Sequence, residues 1–177
     1  MLTIDPDRSL LLVIDFQARL MPAIHGGEAA IRNANRLIEA SRLMDVPRLF
    51  TEQNPKGLGA TVADIAVQDD PVVAKQAFDV CREPGFLERI AADRHVVVAG
   101  CEAHVCVLQT VLGLLAAGRS AFVVCDAIGS RNPDNRDAAL ARMAGHGAQI
   151  VTTEMVLFEW LRSAEHPAFR ETVALIK

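Results

Sequence analysis

The chain has 177 residues, of which 51% are hydrophobic and 23% charged, with a net charge of −4 at pH 7. That composition describes a core-rich folded protein and excludes a disordered one. The three lysines, Lys56, Lys75 and Lys177, are scattered and no basic stripe appears, which argues against nucleic acid or an anionic membrane as partner.

Short apolar runs alternate with longer helical periodicities along the chain. Leu10 to Ile14 predicts a strand buried on both faces. Ile31, Ala34, Leu37, Ile38 and Ser41 follow at helical spacing, and Pro47 to Thr51 predicts a second strand. Residues 53 to 59 predict a loop, Val72 to Ala74 a third strand, and Phe86 to Ala92 a short helix. Val96 to Ala99 is the fourth strand, followed by a helix from Cys106 to Ala117 that Gly118 stops. Ala121 to Val124 is the fifth strand, Asn132-Pro133 opens a helix to about Ala144, and Gln149 to Val151 is the sixth strand. Helical segments over Glu154–Leu161 and Pro167–Ile176 close the chain. Strands alternating with helices predict a parallel sheet covered on both faces, an α/β fold of three layers. No internal repeat or linker interrupts it, so residues 1–177 read as a single domain.

Four cysteines, Cys81, Cys101, Cys106 and Cys125, form no CxxC pair. A chain of this length does not need disulfide staples, and a reducing cytoplasmic setting fits. No basic segment leads into a long apolar run near the start, and no stretch reaches transmembrane length.

Ligands of open α/β sheets bind beyond the carboxyl ends of the strands. Asp15 directly follows the first strand, Lys75 the third, and Cys106 the fourth. A thiol at a strand-to-helix turn gains thiolate character from the helix N-terminus and from a neighbouring ammonium. A carboxylate beside it can take the thiol proton and return it to a leaving group. Each residue type also has an ordinary role at such a position. A buried cysteine packs, a strand-end aspartate caps a helix, and a strand-end lysine is solvated at an edge. Spacing alone leaves both readings open. If Lys75 lies in the site, Lys75→Met raises the Cys106 thiol pKa with little effect on folding.

Several segments together resemble the isochorismatase-like cysteine hydrolases over nearly the whole chain. They are Val13-Ile14-Asp15-Phe16-Gln17, Lys75 with Phe78, Gly100 through Val107, Asp126 through Arg131, and Thr152 through Phe158. Thr51-Glu52-Gln53-Asn54-Pro55 is similar to members with isochorismatase domains and poorly defined substrates. The resemblance implies a Rossmann-like, six-stranded parallel sheet with helices on both sides and an Asp–Lys–Cys triad on Asp15, Lys75 and Cys106. It implies a cis Cys101–Glu102 peptide and an oxyanion hole formed by the Glu102 and Cys106 N–H groups. Acyl-thioester chemistry on a non-peptide carbon–nitrogen bond of a small molecule follows, in a homo-oligomer.

Metal-dependent nicotinamidases of this superfamily carry an Asp-x-His pair where this chain has Glu52-Gln53-Asn54. No metal and no cofactor is therefore expected. Phe16, Gln17, Phe78 and His104 are candidate substrate contacts; Asp126, Ser130 and Arg131 read instead as fixing a loop. Two readings compete with the hydrolase. One is a non-catalytic or redox-responsive oligomer that kept the fold, in which Cys106 is reversibly oxidised. The other is a flavodoxin-like nucleotide module, which nucleotide would protect against unfolding. Crowded apolar residues from Met155 to Leu161 need cover, from a neighbouring subunit or from the last helix folding back.

Overall fold

The computed structural model describes residues 3–177. Six parallel strands form one sheet: β1 (Ser9–Ile14), β2 (Arg48–Gln53), β3 (Val72–Lys75), β4 (His95–Cys101), β5 (Ser120–Gly129) and β6 (Gln149–Val151), in the spatial order β3-β2-β1-β4-β5-β6. The chain builds outward from β1 to β3 and then crosses back to lay β4 beside β1. The switch point therefore lies between β1 and β4, where a crevice opens at the carboxyl ends.

Every residue of β1 and β4 is buried. Leu11 and Val13 feed one core layer, together with Ala34, Leu37 and Ile38 of α1 (Gly27–Leu43) and Val156, Leu157 and Trp160 of α5 (Thr153–Leu161). Leu10, Leu12 and Ile14 feed the other, with Val111 and Leu114 of α3 (Leu108–Ala116) and Ala139 and Met143 of α4 (Pro133–Gly145). This two-sided burial is why the strand sequences are continuously apolar and not alternating.

Gly100 sets the distance between the two central strands. It is paired with Ile14 at φ 150°, and a Cβ there would lie 2.4 Å from the Ile14 carbonyl oxygen. One residue further on, the Cys101–Glu102 peptide bond is cis.

Several predicted elements are corrected. The loop over 53–59 holds a single helical turn, α2 (Pro55–Leu58), entered through Asn54 at φ 38° with Pro55 pre-set for the first helical position. The helix expected over Phe86–Ala92 is only a 3-10 turn at Leu87–Arg89. The helix expected from Cys106 begins later: a π-helical turn, Ala103–Val107, precedes α3 and carries the cysteine. β5 runs five residues past Val124, taking in Asp126, and its pairing with β4 shifts register between Val98 and Gly100. β3 is an edge strand with Val72 and Ala74 exposed, not a core strand, and Lys75 is its one buried residue.

The last helix is the shorter α6 (Phe169–Ala174), which packs on α1. Val156, Leu157, Trp160 and Leu161 are buried within the chain itself, whereas Met155 and Phe158 stay exposed. Among the described residues no helix is long and apolar enough to cross a membrane.

Candidate active site

Asp15, Gln53, Lys75 and Cys106 converge at the carboxyl edge of the sheet. Asp15 leaves β1 in the left-handed region, at φ 54°, a conformation that aspartate tolerates better than most side chains. Its N–H donates to the Thr51 carbonyl at 3.1 Å, which ties the turn to β2. The Thr51 hydroxyl donates to Asp15 Oδ1 at 2.6 Å and Lys75 Nζ to Oδ2 at 2.7 Å, so both carboxylate oxygens are held.

Lys75 is 1% exposed. Its ammonium also donates to Gln53 Oε1 at 2.7 Å and toward the Phe78 carbonyl at 3.4 Å. The Gln53 amide is oriented by its second end, since Nε2 donates to the Gln76 carbonyl at 2.8 Å. The Cys106 thiol faces the same Oε1 at 3.9 Å.

The nucleophile candidate lies in a tight turn. The Glu102 carbonyl accepts from the N–H groups of Val105 at 3.1 Å and Val107 at 3.2 Å, and neither bond uses the Cys106 N–H. Burial pushes the Cys106 thiol up to about 12; the Asp15 charge pushes the same way, and Lys75 only partly opposes it. The resting group is therefore a thiol, which corrects the thiolate expected from the sequence. The cause is desolvation, joined by the Asp15 charge. The other cysteines are raised as well, chiefly by burial, Cys81 to about 12.

Cys106 and Gln53 form part of the floor of a cavity of about 320 Å³, whose walls include Leu20, Ala23, Leu58, Phe78 and Val105. Arg19, Glu102 and Arg131 line it as well. Asp15 and Lys75 sit fully buried behind the thiol, beneath a chamber with both apolar and charged walls.

Of the candidate substrate contacts, only Phe78 lines this cavity. Phe16 is packed in the core with Leu11, Val13 and Ile65. Gln17 staples β2 to the following loop: Nε2 donates to the carbonyls of Gln53 at 3.1 Å and Gly59 at 2.6 Å, and Oε1 accepts the Gln53 N–H at 2.8 Å. His104 turns to Ser130 Oγ at 3.0 Å and Asn135 Nδ2 at 3.5 Å. Arg131 fixes its loop to the Glu102 carboxylate through N–H and Nε, and it also lines the cavity, while Asp126 fixes α5 by accepting from Thr153 N–H and Oγ1. Gln53 was overlooked although it ends a strand inside the Thr51–Pro55 motif. Arg19, Leu20, Ala23 and Leu58 had no local signal.

Residues 9–155 match the family model described as isochorismatase domain. Isochorismatase domain-containing protein 2A of Mus musculus is 36% identical over 175 residues, covering 97% of this chain and 84% of the mouse protein. A structure described as MAR1 ribonuclease from Caenorhabditis elegans superposes with a TM-score of 0.90 at 36% identity, covering 98% of this chain and 92% of that one. The YcaC gene product of Escherichia coli, described as an octameric hydrolase of unknown specificity, superposes at 0.87 with 24% identity, covering 99% and 88%; at that identity the likeness is one of fold.

Proposed function

The chain belongs to the isochorismatase domain family, and from that premise we propose that it is a cysteine hydrolase acting on a non-peptide, amide-like carbon–nitrogen bond of a small molecule. The observation that carries this reading is the fully buried Asp15–Lys75 pair lying behind a cavity-floor thiol. A buried ion pair contributes little net stability compared with apolar packing. A carboxylate held next to a thiol is instead what proton transfer requires.

When a substrate carbonyl enters, the Cys106 S–H proton passes to the Asp15 carboxylate and sulfur bonds to the carbonyl carbon. The N–H groups of Glu102 and Cys106 receive the oxyanion. The tetrahedral adduct collapses, the carbon–nitrogen bond breaks, and Asp15 returns the proton to the departing ammonia or amine. Water then adds to the thioester and gives a proton to Asp15. The acid leaves, and the thiolate takes that proton back. Lys75 holds Asp15 in place through its contact with Oδ2. Making the thiolate only when substrate is present suits a resting thiol held at about 12, and works against a redox-sensing role, because peroxide attacks the thiolate.

The whole chain works as one hydrolase domain in this proposal, without a metal or other cofactor, and as a homo-oligomer seated on the exposed Met155 and Phe158 of α5. Light scattering at micromolar concentration checks the assembly; a clean monomer overturns it.

A panel of small primary and secondary amides, assayed for ammonia or amine release with wild type and Cys106→Ser, tests the activity. The account expects turnover that vanishes in the variant. Release of nucleotides from RNA without amide turnover would replace it with a ribonuclease, as the C. elegans structure is described.

A further inference from the structure

We propose that Gln53 is a positioning residue for the thiol chemistry: its amide oxygen holds the Lys75 ammonium against Asp15 and away from the Cys106 sulfur, so the thiol keeps its proton until a substrate carbonyl arrives. The proposal rests on the reading of Cys106 as the nucleophile given above.

An ammonium has three donors. Lys75 spends two of them at 2.7 Å, on Asp15 Oδ2 and on Gln53 Oε1, and turns the third toward the Phe78 carbonyl at 3.4 Å. None is left for sulfur. The Cys106 thiol faces the same Gln53 Oε1 at 3.9 Å, so cation and thiol address one oxygen. An amide oxygen carries partial negative charge, which favours S–H over thiolate beside it. The charged groups around the thiol are Asp15 after β1 and Lys75 at the end of β3, with Arg19, Glu102 and Arg131 lining the same cavity. Gln53, from β2, is uncharged and meets both Lys75 and Cys106.

The orientation of that amide is set at its other end. Nε2 donates to the Gln76 carbonyl at 2.8 Å. A flipped amide would set its NH2 against the ammonium and its oxygen against the Gln76 carbonyl. Gln17 pins the backbone: its Oε1 accepts the Gln53 N–H at 2.8 Å, and its Nε2 donates to the Gln53 carbonyl at 3.1 Å. A tie between β2 and the segment after β3 needs Nε2 alone. It does not account for an oxygen turned to both the ammonium and the thiol.

Timed iodoacetamide labelling of Cys106 at pH 8, in wild type, Gln53→Met and Gln53→Glu, tests this. Methionine is similar in volume and offers no oxygen, so a Lys75 donor is released to the sulfur. About ten-fold more thiolate is expected, which its lower nucleophilicity trims to labelling about three-fold faster. Glutamate replaces the NH2 that bonds Gln76 but keeps an oxygen for Lys75, so its labelling should be no faster than wild type. A residue that only tied the strand end would loosen in both variants and speed both. Faster labelling of both, or of neither, overturns the proposal. Should Gln53→Met fail to fold, Gln53→Asn, whose oxygen is drawn back by one methylene, takes its place with the same expectation. Labelling needs no turnover, so the part given to Gln53 can fail while amide hydrolysis is found, and can hold where none is.

Discussion

Replacing Lys75 with methionine is the sharpest perturbation of this site. The side chain is fully buried, and its ammonium satisfies Asp15 Oδ2 and Gln53 Oε1, both at 2.7 Å. Methionine fills a similar volume but donates nothing. Asp15 keeps only the Thr51 hydroxyl on its side chain, and Gln53 Oε1 loses its ammonium. Breaking a buried pair by removing one partner costs about 3–5 kcal/mol, because the other charge is left uncompensated. For a domain of this size each kcal/mol moves Tm by about 2–4 °C, so Lys75→Met is expected to lower Tm by roughly 6–20 °C. This reverses the mild effect on folding expected from the sequence, where Lys75 could not be seen to be buried. Urea denaturation with a double-mutant cycle checks it. Asp15→Asn combined with Lys75→Met should cost less than the sum of the single changes, since the double variant holds no orphan charge. A Lys75→Met stability within about 1 kcal/mol of wild type, or strict additivity in the cycle, would refute the reasoning.

Gly100→Ala should destabilise by about 2–6 kcal/mol, combining backbone strain with the clash on Ile14; a wild-type urea midpoint would show that β1 and β4 are not so closely apposed. Alkylation of Cys106 in the ligand-free protein should rise about ten-fold per pH unit between pH 7 and 9, because the thiol pKa lies far above that window. Peptide mapping of timed iodoacetamide reactions follows this, and a plateau below pH 9 would mean the thiol is not held up by burial and Asp15. Turnover of an amide substrate should survive chelators, since Glu52 is engaged with Thr61 and Gln53 with Lys75 at the strand end where a metal pair would sit. Chelator-sensitive turnover restored by added zinc would oppose that.

The sheet was legible because strands buried on both faces need unbroken apolar runs, and Leu10–Ile14 and Val96–Ala99 are such runs. The far half of β5 was not, because Cys125 and Asp126 break its apolar run and only pairing with β4 at Ile128 and Gly129 makes it a strand. Asp15, Lys75 and Cys106 could be placed at strand ends from spacing. Their electrostatics could not, since a helix-terminal thiol and a buried thiol beside a carboxylate have identical sequences and opposite shifts. The cavity wall was the least visible part. Arg19 and Arg131 come from two separate loops and Leu58 from the short helix α2, and nothing in any one of these segments marks it as facing Cys106.

The central claim is that Cys106 carries the acyl group. Wild type incubated with p-nitrophenyl acetate, quenched in acid and mapped by mass spectrometry, tests it most directly. The account predicts an acetyl thioester on the Cys106 peptide that hydroxylamine removes, absent in Cys106→Ser and slow to form in Asp15→Asn. An acetyl group confined to other residues, or ester turnover undiminished in Cys106→Ser, would contradict it.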